Sequence, residues 1–169
     1  MNPSKSSFVF STIAGVLIAA QIVLLFFFSV PGIPALRIAG YCLWGLCALL
    51  VVLPIITFKL YGKVPQGKNY MHTGVLVTRG IYGIVRHPQF LCMPLLPVAA
   101  ALLSQHWLVI TVGAPALVLG VISLRGADKG NIEKFGDDYR EYMKRVPGYN
   151  LFAGIWRRIT RKTPAGRPL

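Results

Sequence analysis

Arg86, His87 and Pro88 stand where a charged loop meets a long apolar run. They sit in the stretch Leu-Val-Thr-Arg-Gly-Ile-Tyr-Gly-Ile-Val-Arg-His-Pro-Gln-Phe, from Leu76 to Phe90. Titratable groups are costly at the edge of a hydrocarbon layer, so they point to a site before they point to a scaffold. A second cluster adds to the first. All five acidic residues, Asp128, Glu133, Asp137, Asp138 and Glu141, fall in one short segment just after the last apolar run. An arginine can orient a carboxylate through paired N–H groups. A histidine or carboxylate can take the proton that an amine must lose when it attacks. Arg86, Arg125 and Asp128 are therefore the candidate catalytic residues, with His87 and Glu133 as further candidate bases.

Other chemistries have no visible machinery. There is no serine or cysteine triad, no HExxH, no phosphate-binding glycine loop and no GxGxxG. Cys42, Cys47 and Cys92 all lie inside apolar blocks and form neither a CxxC nor a His/Cys cluster, so they are expected as small buried hydrophobes, with no metal site and no disulfide framework.

The elements that must position these groups are apolar. The chain has 169 residues, of which 54% are hydrophobic, and its mean hydropathy is +0.59. A helix needs about 20 apolar residues to cross a bilayer core. Phe8 to Val30 and Ile38 to Phe58 meet this without a charge, and Pro88 to Leu124 has no Asp, Glu, Lys or Arg over 37 residues. That last run is too long for one span and just enough for two, with Ser104-Gln105-His106 as the turn. The expected fold is an all-α polytopic membrane protein. It has about four transmembrane helices, the last two a tight hairpin, and a C-terminal cytoplasmic amphipathic helix. The first block is expected to be a retained span, because its apolar core exceeds that of a signal peptide.

Orientation follows from the basic residues. Of 18, 17 lie on one side of this arrangement and only Arg37 lies on the other. Both termini and the site are thus expected on the cytoplasmic face. The net charge of +13 is read as this asymmetry plus attraction to anionic membrane lipids. No motif for reading nucleic acid is present.

Three regions follow: a two-helix membrane hairpin over 1–62, a catalytic and cofactor-binding region over 63–152, and a basic tail over 153–169. Val30-Pro31-Gly32-Ile33-Pro34 closes the first hairpin. Pro54 is expected to kink the second span without ending it. Lys63 to Gly67 reads as a polar loop, and Val75 to Thr78 as a short extended segment. Proline fits the first turn of a helix and pushes the residue before it out of helical geometry. The third span is therefore expected to start at Pro88 with His87 as the corner. After Leu124, Gly126, Gly130 and Asn131 mark a bend, with Asn131 capping a new helix. Ile132, Phe135, Tyr139, Tyr142, Met143 and Val146 form its apolar face. The tail, with Arg157, Arg158, Arg161 and Lys162 around Trp156, is expected to lie on the membrane or to be disordered.

Gly80-x-Tyr82, Arg86-His87-Pro88-x-Phe90, the helical hairpin that follows, Phe135-Gly136-x-x-Tyr139-x-x-Tyr142 and Arg145-Val146-Pro147 together resemble the isoprenylcysteine carboxyl methyltransferase family and the related membrane phospholipid methyltransferases. The resemblance covers roughly Gly74 to Phe152. It implies S-adenosylmethionine as cofactor and a lipid-like or small apolar acceptor that enters from the bilayer. The implied cofactor contacts are the main chain of Gly74, Val75, Leu76 and Val77, then Tyr82, then His87, Pro88, Gln89 and Phe90, with Asp128 and Tyr139 closing the pocket. Where the family pattern carries an arginine and paired glutamates, this chain has Ser123, Ala127 and Asp128. The acceptor atom stays open among carboxylate oxygen, amine nitrogen and thiol sulfur.

Two other readings remain at this stage. One is an NADPH-dependent membrane reductase of the sterol-reductase type, whose C-terminal region is similar. The other is a non-catalytic membrane adaptor, in which Tyr82, Tyr139 and Tyr142 are interfacial aromatics and Arg86 only anchors at the head groups.

Overall fold

The computed structural model describes residues 3–62 and 75–160. Gly74, the Lys63–Gly67 loop and the tail from Arg161 lie outside the described residues. Within them the chain is helical: α1 (Pro3–Phe27), α2 (Pro34–Tyr61), a 3-10 turn (Gly80–Gly83), α3 (Pro88–Ser104), α4 (Trp107–Arg145) and α5 (Leu151–Thr160). No strand occurs among the described residues, and Val75 to Thr78 is irregular.

Three helices, α1, α2 and α4, are long and apolar enough to cross a membrane; α3, at 17 residues, is shorter. Many large side chains on them point away from the protein, among them Phe8, Phe26 and Phe27. In water such a surface would drive association; in a bilayer it is the ordinary outer face. Packing runs through α4, which lies against α1 and α3, while α2 lies against α3 and the 3-10 turn. α2 continues through Pro54, and α3 through Pro94 and Pro97.

Ser104, Gln105 and His106 separate α3 from α4, with Gln105 in left-handed geometry at φ 51°. This turn is tied to the connection between α1 and α2. Gln105 accepts from Ile33 N at 2.8 Å and donates to Ile33 O at 2.9 Å, and Val30 N donates to Ser104 O at 3.1 Å. Deeper in, the buried Gln21 amide of α1 donates to Pro97 O and Val109 O, at 3.0 and 3.1 Å. It stitches α1 to both α3 and α4.

One expectation changes in the last third of the chain. α4 does not bend at Gly126–Asn131: it runs helically through that stretch and breaks at Gly136, where φ is 55° and ψ is −127°. Asp128, before the break, and Tyr139, after it, both come within hydrogen-bond reach of His87. The start of the stretch read as a basic tail is ordered, with Leu151–Thr160 forming α5.

Candidate functional site

Pro88 begins α3, and His87 precedes it with φ −127° and ψ 60°, outside helical space. The corner is held from behind by the chain that leaves α4. Arg86 N donates to Pro147 O at 3.0 Å, and His87 N donates to Gly148 O at 3.2 Å. A Cβ at Gly148 would stand 3.1 Å from Arg86 Nη2, so a larger residue there would ask the guanidinium to give by a few tenths of an ångström. The Val146-Pro147-Gly148 exit thus presses the Arg-His main chain against the start of α3.

The side chains of this corner converge on α4. One oxygen of Asp128, Oδ1, lies 2.9 Å from Arg86 Nη1, 2.6 Å from His87 Nε2 and 2.7 Å from the Tyr139 hydroxyl. The Tyr139 hydroxyl also lies 3.0 Å from His87 Nε2 and receives Asn131 Nδ2 at 3.4 Å. Tyr139 and His87 are almost fully buried. Asp128, Asn131 and Tyr139 occupy α4 beyond Leu124, where its uncharged apolar part ends. Asp128 and Asn131 come before the Gly136 break and Tyr139 after it, so the break lets one helix reach His87 from two sides.

The electrostatics follow from this packing. Burial pushes the Asp128 carboxyl up, yet hydrogen bonds from His87 and Tyr139 and the charges of His87 and Arg86 together hold it below its ordinary value. Burial, then the hydrogen bond to Asp128, pushes the Tyr139 phenol well up, so it stays protonated as a donor. Burial likewise raises Tyr142, whose hydroxyl donates to Tyr82 O at 2.5 Å. Because the carboxylate can only accept, Nε2 carries the proton in the neutral form of His87 and the lone pair is left on Nδ1.

A cavity of about 180 Å³ opens beside this cluster. Its walls are Val75, Leu76 and Val77, the corner from Arg86 to Phe90, and the aromatics Phe58, Tyr82, Phe135, Tyr139 and Tyr142, with Asn131 and Lys134. Tyr139, Tyr142 and Val146 form a buried cluster packed by Leu76, Ile132, Phe135 and Met143. Arg86 keeps a buried Nε–H with no acceptor. Among the described residues no group of His, Cys, Asp or Glu could hold a metal ion.

Nine of the residues singled out from the sequence thus stand at this cavity: Val75, Leu76, Val77, Tyr82, His87, Pro88, Gln89, Phe90 and Tyr139, with Arg86 beside them. Asp128 stands just behind the wall, reaching it through Arg86, His87 and Tyr139. Arg125 does not join them. It is exposed and forms no part of the cavity wall. Glu133 is exposed as well. Phe58 and Lys134 were not singled out from the sequence. Phe58 carries no signal beyond being the last apolar residue of its span. Lys134 stacks its ammonium 5.0 Å from the Phe135 ring and is reachable only once the helix is known to be continuous.

Comparison of the chain with protein-family models and with curated proteins returns no match.

Proposed function

We propose that this chain is an integral-membrane methyltransferase that uses S-adenosylmethionine on a lipid-like or small apolar acceptor. In this reading it has four membrane helices, with α3 and α4 as a hairpin and with both termini and the site on the cytoplasmic side. The observation that carries the reading is the convergence of Arg86, His87 and Tyr139 on a single Asp128 oxygen beside an aromatic cavity. The resemblance of Gly80–Phe90 and Phe135–Pro147 to the isoprenylcysteine carboxyl methyltransferases and membrane phospholipid methyltransferases supports it.

The residues fit such a cofactor. The aromatic rings of Phe58, Tyr82, Phe90 and Phe135 at the wall suit a purine, and the unsatisfied Arg86 Nε–H suits a carboxylate. When bound, S-adenosylmethionine supplies an electrophilic methyl group on a sulfonium, which leaves as a neutral thioether as the acceptor's lone pair forms the new bond to carbon. The protein's part is to position, to exclude water and to manage the proton. Asp128 holds His87 by Nε2, which leaves Nδ1 to take the proton of an amine acceptor. A carboxylate or thiolate acceptor brings no proton and would need only orientation.

The test is calorimetry on the folded, detergent-purified chain, with NADPH in parallel. Saturable heat with S-adenosylmethionine and S-adenosylhomocysteine supports the reading. No heat from either, or heat from NADPH alone, rejects it. Transfer of tritium from methyl-labelled cofactor into a membrane extract would then identify the acceptor.

A further inference from the structure

α5 is amphipathic the wrong way round for a helix that packs on a protein. The face turned to the protein holds Gly154 and Arg157. Gly154 lies so close to Ile84 O that a Cβ there would collide with it, and Arg157 Nη2 donates to Gly83 O at 3.1 Å. The apolar stripe points outward: Phe152 is 86% exposed, Trp156 71% and Ile159 74%, with Ile155 also exposed. Their spacing of three and four residues places them on one side of a helix, roughly opposite Gly154. A soluble helix would turn this stripe to the core.

We propose that α5 lies flat in the head-group layer of an anionic leaflet, and that its seating there holds the Arg86-His87 corner. Three observations select lipid as the occupant. The chain already has three helices apolar enough to cross a membrane, so a lipid surface is continuous with its apolar sides. Trp156 sits mid-stripe, the side chain best suited to the boundary of head groups and acyl chains. Arg158 follows at the stripe's margin, with Arg161 and Lys162 next in sequence, where cations meet anionic head groups while their stems stay on apolar ground.

The coupling follows from what α5 touches. Gly83 ends the 3-10 turn and Ile84 caps it, three and two residues before Arg86. Behind α5, Asn150 caps its start by accepting from Ala153 N at 2.9 Å, and Asn150 follows Gly148, whose carbonyl holds His87 N. A lipid-seated α5 therefore restrains the corner from both of its chain neighbours, and an unseated one leaves its apolar stripe in water.

The experiment uses the full chain in nanodiscs, either neutral phosphatidylcholine alone or phosphatidylcholine with phosphatidylglycerol, with Trp44→Phe and Trp107→Phe so that Trp156 is the only reporter. Neither readout involves S-adenosylmethionine, so the result is independent of the proposed reaction. In anionic discs Trp156 emission should shift to the blue and resist iodide quenching. Amide exchange across residues 84–90 should slow by about fivefold for each cation engaged. Phe152→Ser with Ile159→Ser, both exposed and hence compatible with folding, should abolish both effects. Water-exposed Trp156 in anionic discs overturns the proposal, as does burial that follows protein concentration and not lipid charge, the mark of a second copy on the stripe. Burial of Trp156 with no change in exchange at 84–90 overturns the coupling.

Discussion

His87 Nε2 and Asp128 Oδ1 stand 2.6 Å apart across 41 residues of chain, and this contact joins the corner that precedes α3 to the far half of α4. The Asp128 side chain is 15% exposed and that of Arg86, its other charged partner, 9%. Replacing Asp128 with Asn keeps the shape but leaves Arg86 and His87 without their anion. Breaking a buried pair from one side costs about 3 kcal/mol or more. Thermal unfolding in detergent should show Asp128→Asn strongly destabilised and Asp128→Glu intermediate, with the proposed methyl transfer abolished in the first.

The same carboxyl sets an acid limit. Its value in the folded protein is held below the unfolded one, so its contribution is complete above the unfolded value of about 3.9 and is lost as pH falls through the lower, folded value. Tyr139 is raised, so its contribution is complete below about pH 10 and is lost as pH rises beyond that. Stability against pH should therefore show a plateau with an acid shoulder below about pH 4. Unfolding measured from pH 2 to 7 should show the shoulder in the wild type and a flatter profile in Asp128→Asn. An acid shoulder of equal size in both would assign it to other carboxylates.

Arg125 separates the sequence expectation from the folded arrangement. It is exposed and away from the cavity wall. Arg125→Gln should change stability by no more than about 0.5 kcal/mol and leave the proposed methyl transfer near wild-type, whereas Arg86→Gln should lose it. If both variants lost that activity equally with folding intact, Arg125 would have to reach the proposed acceptor.

What the chain made legible, and what it hid, divides along physical lines. The corner at Arg86-His87-Pro88 was readable because proline has one good place in a helix and constrains its predecessor. The face from Ile132 to Val146 was readable because burial imposes a period, and its residues do form a packed cluster. The course of residues 125–136 was hidden. Gly126, Gly130 and Asn131 cost a helix roughly 1 kcal/mol or less each, and the anchoring of Asp128 to three partners offsets such small penalties. The break falls instead at Gly136, which in sequence looks like an ordinary helical glycine. α5 was legible only in part: the tail reads as lying on the membrane or disordered, and its apolar stripe faces away from the protein, so packing gives no further account of it.

Gly136 allows a sharp contrast with a neighbour. Its φ of 55° with ψ of −127° is a region that only glycine occupies cheaply, although a Cβ there would meet nothing within 4 Å. Strain alone is therefore at issue, and Gly136→Ala should cost about 1–3 kcal/mol. The loss should fall on the site, since straightening α4 carries Tyr139 and Tyr142 away from His87 and Tyr82. Gly130 also has open space around it and lies in unbroken helix with no positive φ. Gly130→Ala should instead stabilise, by up to about 1 kcal/mol. Paired melts of the two variants, with Tyr142 and Tyr139 environments followed by near-ultraviolet circular dichroism, check both signs. A Gly136→Ala protein as stable as wild type, with its tyrosine signals unchanged, would mean that the break in α4 is not what assembles the site.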